Sequence, residues 1–243
     1  EESFIPRPDG SMLRICICHT KREQQSDAAG LLWLHGGGYA IGFPELDYSF
    51  IDRFAGDGSC VIVAPDYRRS TEAPYPAALE DGYQALVWMK DHSEELGIRK
   101  DQLFVGGNSA GGGLTAAICL YARDRNEVSI AFQMPLYPML DDRMDTESAK
   151  DNDAPVWNTK SSQAAWILYL NSQNNSSSIP VYAAPARTTN YSHLPPTCTF
   201  VGSVEPFRDE TFTYIERLRE AGIPVHFKEF EGCFHAFDVV CPG

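Results

Sequence analysis

The chain has 243 residues, 43% hydrophobic and 12% aromatic, and carries 20 Lys+Arg against 33 Asp+Glu, a formal net charge of −13. The apolar content suffices for a core, so a disordered chain is excluded, and the length suits one α/β domain. The acidic balance repels nucleic-acid phosphates and anionic lipid surfaces, and no apolar run reaches the ~18–20 residues that span a membrane.

In chain order, the opening "EESFIPRPDG" is acidic and proline-bearing, unlike a signal peptide, and begins without Met. A trimmed chain in the cytoplasm is the expectation. Strand-like runs follow at 13–19, 31–36, 60–67, 102–107, 130–137, 197–202 and 225–230. Several are apolar throughout, as strands covered on both faces are. Between them, Pro76 opens a helix with Leu79, Tyr83 and Leu86 on one face and Gly97 as its stop. Phe212, Ile215 and Leu218 mark another helix, closed by Gly222. Strands alternating with helices predict an α/β class, a mostly parallel sheet with helices on both faces, whose first strands form an antiparallel edge.

The seven cysteines are scattered, without a C-x-x-C pair, so neither a zinc knuckle nor a redox motif is indicated. Free thiols are expected, with Cys16 and Cys18 on one face of the strand at 13–19. The rhythm breaks from Met139 to about Leu194, a stretch rich in Asp, Asn and Ser with one helical run at 162–170 and a polar loop at 171–178. It reads as a cap-like insertion over the C-terminal edge of the sheet, within a single domain spanning 1–243.

Chemistry concentrates in "LFVGGNSAGGGL", where Gly107-Asn108-Ser109-Ala110-Gly111 fits G-x-S-x-G between a strand and a small-residue helix. Such a turn exposes a serine hydroxyl above the sheet, with a helix N-terminus behind it. In "LLWLHGGGYAIG" (31–42), three glycines after a strand and His35 offer bare backbone N–H groups. Acyl transfer needs such donors around the developing oxyanion, and the N–H of Ala110 would join them. His35 precedes the serine and is read as bracing the loop. An acid and a histidine should follow Ser109 in that order. Glu205 and Asp209 are the candidate acids; His235, just past a strand end, is preferred over His193 and His226.

Together with "DYRRSTEAPYPAALEDGYQAL" (66–86), "LYPMLDDR" (136–143) and "YAAPARTTNYSHLPP" (182–196), these motifs resemble the hormone-sensitive-lipase-like branch of the α/β-hydrolases. The resemblance covers nearly the whole chain and implies an α/β-hydrolase fold. It implies Ser109 as nucleophile, His235 as general base, and Gly37, Gly38 and Ala110 as oxyanion donors. Glu205 stands where that family usually has Asp, with Asp209 as fallback. Asn108 replaces the family's Asp before the serine, a helical N-terminal segment is missing, and the chain ends just past His235. A more open acyl site is therefore expected, lined by Tyr39, Phe43 and Trp157.

The implied activity is that of a serine carboxylesterase acting on small or short-chain acyl esters through an acyl-enzyme, with no metal or organic cofactor. The expected partner is a small-molecule ester, with a homodimer left open. An amidase or arylformamidase would use the same triad. A catalytically inactive binding protein is the remaining alternative; plant gibberellin receptors resemble this family and lack the catalytic histidine.

Overall fold

The computed structural model describes residues 1–19, 27–56, 58–171 and 179–241. One eight-stranded sheet runs in the order β1-β2-β4-β3-β5-β6-β7-β8. The strands are β1 (Glu2–Pro6), β2 (Met12–Cys18), β3 (Ala28–Leu34), β4 (Cys60–Pro65), β5 (Ile98–Asn108), β6 (Phe132–Leu136), β7 (Thr197–Gly202) and β8 (Val225–Phe230). From β4 to β8 all pairings are parallel, whereas β1–β2 and β2–β4 are antiparallel. The expected edge is present, but β1 falls where the sequence suggested no strand. Only Ile5 of its five residues is buried, too little to leave a period of two.

The helices are α1 (Tyr48–Ala55), α2 (Ala77–Asp91), α3 (Ala110–Arg125), α4 (Thr159–Leu170), α5 (Arg208–Glu220) and the single turn α6 (Phe237–Val240). Every residue of β3 and β4 is buried. Successive side chains of β3 serve opposite faces: Leu32 and Leu34 pack with residues of α2 and α3, Leu31 and Trp33 with Phe50 and Ile51 of α1. Helix α1 escaped sequence reading because its eight residues bury only Phe50, Ile51 and Ala55. Helix α2 ends at Asp91, short of the expected stop; Gly97, at φ +66°, closes the turn that follows. None of the seven cysteines is bridged to another; Cys16 is buried and Cys18 half-buried.

The 139–194 segment leaves the C-terminal end of β6. Its start is pinned by Glu210 of α5, whose buried carboxylate accepts the Leu140 N–H at 2.6 Å. Helix α4 then buries Trp166, Tyr169 and Leu170 in the larger core cluster. Apart from Asn171, the polar loop expected over 171–178 lies outside the described residues.

Candidate active site

Strand β5 ends in Asn108 and α3 begins at Ala110, so Ser109 alone makes the turn, at φ +57° and ψ −119°. A non-glycine residue there stores roughly 1–3 kcal/mol and persists only if its surroundings over-determine it. They do: its N–H donates to Leu136 O at 2.9 Å, and its carbonyl accepts from Gly113 and Met139, each at 3.0 Å. Glycines flank the turn because the backbone closes around them. A Cβ on Gly107 would stand 2.6 Å from Gly111 O, and one on Gly111 2.6 Å from His35 O.

The Ser109 hydroxyl lies 2.8 Å from His235 Nε2. On the other side of the ring, His235 Nδ1 bonds a Glu205 carboxylate oxygen. The second Glu205 oxygen accepts the Gly202 N–H at 2.8 Å, and all three side chains are buried. An ionised carboxylate only accepts, so the imidazole proton sits on Nδ1 and Nε2 is free to accept from Ser109. Tyr137 and Phe207 meet the His235 ring edge-on, at centroid distances of 4.9 and 5.1 Å.

Asp209, the alternative acid, is engaged elsewhere: it accepts from Ser148 N–H at 2.9 Å and pairs with Arg208. His226 is exposed on β8, and His193 borders a separate groove beside Arg123 and Asn126. Of the candidates, Ser109, Glu205 and His235 come together.

The glycine loop follows β3. His35 is buried, stacks on Tyr67 at 4.1 Å and places Nδ1 2.7 Å from Gly36 O. Burial lowers its pKa to about 4, so the ring is neutral at pH 7. Gly37 (φ +119°) and Gly38 (φ +58°) curl the chain, and Ala40 and Ile41 both donate to Gly37 O at 3.0 Å. Among the described residues, the N–H groups of Gly37, Gly38 and Ala110 donate to no backbone carbonyl. Ala110 opens α3, where an amide has no intrahelical acceptor.

A cavity of about 420 Å³ opens over Ser109 and His235, with Ile41, Leu46, Val156, Trp157, Ala236 and Val239 as its apolar walls. Trp157 is among them. Tyr39 and Phe43 are not. At φ +60°, Tyr39 is 1% exposed, stacks on Tyr169 at 3.9 Å and donates its hydroxyl to Met139 O. Phe43 is 42% exposed on the outer side of the loop, where it precedes the short 3-10 turn Pro44–Asp47. Proximity in sequence to the glycines misplaced both. Asp47, Asn108 and Tyr137 line the cavity instead. Asp47 sits in "FPELDYSF", which reads as a polar surface turn; only its convergence with Trp33 and Asn108 marks it.

At the cavity mouth the Trp157 N–H donates back to Pro155 O at 2.8 Å, around Val156 at φ +69°. A three-residue turn centred on a β-branched residue at positive φ is rare and strained. It directs Trp157 across Gly38, while Trp157 Nε1 donates to Ser162 Oγ at 3.0 Å.

The sheet order, the serine turn and the loop before it define a class of proteins, and comparison with known proteins agrees. A profile of the α/β-hydrolase fold matches residues 31–239. The esterase LipI of Mycobacterium tuberculosis is 33% identical over 214 residues, covering 88% of this chain and 67% of LipI. Bacterial heroin esterase superposes with a TM-score of 0.95 at 36% identity, covering 100% of this chain and 78% of that one. The esterase LipW of Mycobacterium marinum does so at 0.91 and 29%, covering 100% and 75%. The chain belongs to the α/β-hydrolase fold family and, within it, to the hormone-sensitive-lipase-like branch. It spans about two thirds of the length of curated relatives such as LipI and the carboxylesterase NlhH of M. tuberculosis. No helix among the described residues is long and apolar enough to cross a membrane.

Proposed function

We propose that Ser109, His235 and Glu205 form the catalytic triad of a carboxylesterase that hydrolyses short-chain esters through an acyl-enzyme. The chain is a carboxylic ester hydrolase by its family and by the esterases it resembles. The observation that carries the mechanism is the unbroken hydrogen-bond chain from Ser109 through His235 to Glu205 at the floor of the cavity.

In this reading the Ser109 hydroxyl attacks the ester carbonyl while His235 Nε2 takes its proton. Glu205 holds the ring in the required tautomer and offsets the imidazolium charge. The carbonyl oxygen becomes an oxyanion that accepts from the N–H groups of Gly37, Gly38 and Ala110, donors not consumed by the backbone. The tetrahedral intermediate collapses, His235 protonates the leaving alcohol, and water enters by the same route to release the acid. A compact cavity walled by Trp157 and Val156 favours acetyl- to butyryl-sized groups or small aryl groups over long chains. The cytoplasm is the proposed location, a reducing compartment that suits seven cysteines without a disulfide among them.

The test is hydrolysis of p-nitrophenyl acetate, butyrate and octanoate by the wild type and by Ser109→Ala. Turnover should fall with chain length and vanish in the variant. Inertness of the wild type on all three esters would sink the reading.

A further inference from the structure

We infer that Asp47 is a positioning residue that ties the glycine loop to the serine turn, holding the two halves of the oxyanion site in register. This rests on the acyl-transfer reading and adds a residue to it. Asp47 closes the 3-10 turn Pro44–Asp47, a segment separate from both halves. Asp47 is 7% exposed and its carboxylate accepts from two side-chain donors. Trp33 Nε1 reaches one carboxylate oxygen at 2.9 Å from the end of β3. Asn108 Nδ2 reaches the other at 3.3 Å from the serine turn, and the Gly36 backbone N–H, in the glycine loop, lies near enough to favour the ionised carboxylate.

Position along the chain gives these bonds leverage. Gly36 immediately precedes Gly37, and Asn108 immediately precedes Ser109 and lies two residues before Ala110. Asp47 thus bonds the serine turn one residue before Ser109 and lies beside the glycine loop one residue before Gly37. The two segments also touch directly: a Cβ on Gly36 would lie 2.8 Å from Asn108 Oδ1. Among the described residues that buried oxygen has no hydrogen-bond partner, so the Asn108 carboxamide is held by its contact with Gly36 and its bond to Asp47.

A positioning role also accounts for a carboxylate where stability alone would favour a neutral group. Burial raises the Asp47 pKa to about 6, and Asp238 adds to the unfavourable field. An isolated buried charge is costly, and two or three well-aimed N–H donors are what make it tolerable. An asparagine in its place would turn an NH2 group toward one of those donors. That breaks the tie without changing side-chain size.

The test measures kcat and KM on p-nitrophenyl butyrate for Asp47→Asn, Asn108→Ala and the double variant. Alongside them go the inhibition constant of butylboronic acid, which forms a tetrahedral serine adduct, and Tm. Each single variant should lower kcat at least tenfold with KM within about threefold, because a misplaced donor harms the transition state rather than substrate binding. Boronate inhibition should weaken by a similar factor. The double variant should be little worse than Asp47→Asn alone, since both changes cut one tie. Unchanged kcat and boronate affinity with a lower Tm would reduce Asp47 to a structural residue and overturn the inference. So would losses that multiply in the double variant. If Asp47→Asn does not fold, Asn108→Ala decides by the same readouts. A wild type inert toward esters marks failure of the acyl-transfer reading instead.

Discussion

The Trp157 ring lies across Gly38 so closely that a Cβ on that glycine would stand 2.8 Å from Cζ2 and nearer still to Cη2. The glycine proposed as an oxyanion donor is therefore also the seat of the residue that walls the cavity. Gly38→Ala should lower kcat about a hundredfold or more by displacing the loop, the size expected for a lost oxyanion donor. Removing the ring in Gly38→Ala/Trp157→Ala should restore part of the activity. Recovery stays partial because alanine at φ +58° still costs about 1 kcal/mol. No recovery in the double variant would show that steric contact with Trp157 is not the cause.

Val156 supplies the strain that sets this wall. Replacing it with glycine removes the cost of a β-branched residue at φ +69°, about 1–3 kcal/mol, against the ~0.5–1 kcal/mol of chain entropy that glycine adds. Val156→Gly should therefore match or exceed the wild-type Tm while shifting the preference from acetate toward octanoate esters, as Trp157 gains freedom. A clear fall in Tm would mean that the turn is relaxed as built.

Glu205 and Asp209 separate cleanly. Glu205→Gln keeps the shape but offers an NH2 to His235 Nδ1, which favours the wrong tautomer, so kcat should drop by about 10³–10⁴-fold. Asp209→Asn should leave kcat within about twofold, since that carboxylate serves Ser148 and Arg208. Steady-state rates of the purified variants at one pH decide it; the reverse order of losses would move the acid to Asp209.

These residues differ in how far the sequence disclosed them. The serine turn was legible because a strained backbone demands a local signature, glycines at 107 and 111 around Ser109. Order and a place just past a strand end singled out His235, but left Glu205 and Asp209 both open; only the family resemblance preferred Glu205. Strands β3 and β4 were equally plain, because full burial leaves continuous apolar runs. Strand β1 was not, since it buries too few residues to show a period; helix α1 was not, since its apolar face runs for only two turns. Tyr39 was misplaced because its positive φ turns its side chain into the core, and nothing in "GGGYAIGF" indicates that a non-glycine residue takes that conformation; Phe43, in extended backbone, stands exposed. Asp47 was hidden because its partners lie 14 and 61 residues away.

Asp47 and His35 also make the stability of this region depend on pH in opposite directions. The Asp47 carboxyl is raised from the ordinary 3.8 to about 6 by burial, so the native state prefers its protonated form. Its contribution is present below pH 4 and lost as pH rises through 6, by about 3 kcal/mol at about 1.4 kcal/mol per pH unit. Burial lowers the His35 imidazole from 6.5 to about 4, so the native state prefers it neutral. That contribution is present above pH 6.5 and lost as pH falls through 4. Between pH 4 and 6 the two slopes nearly cancel in the wild type. Asp47→Asn removes one and leaves the other, so the variant should gain stability from pH 4 to 6.5 more steeply than the wild type does. Urea denaturation at pH 4, 5, 6 and 7 reads the difference directly. A gap between the two proteins that stays constant over this range would mean that Asp47 titrates as an ordinary solvated carboxylate.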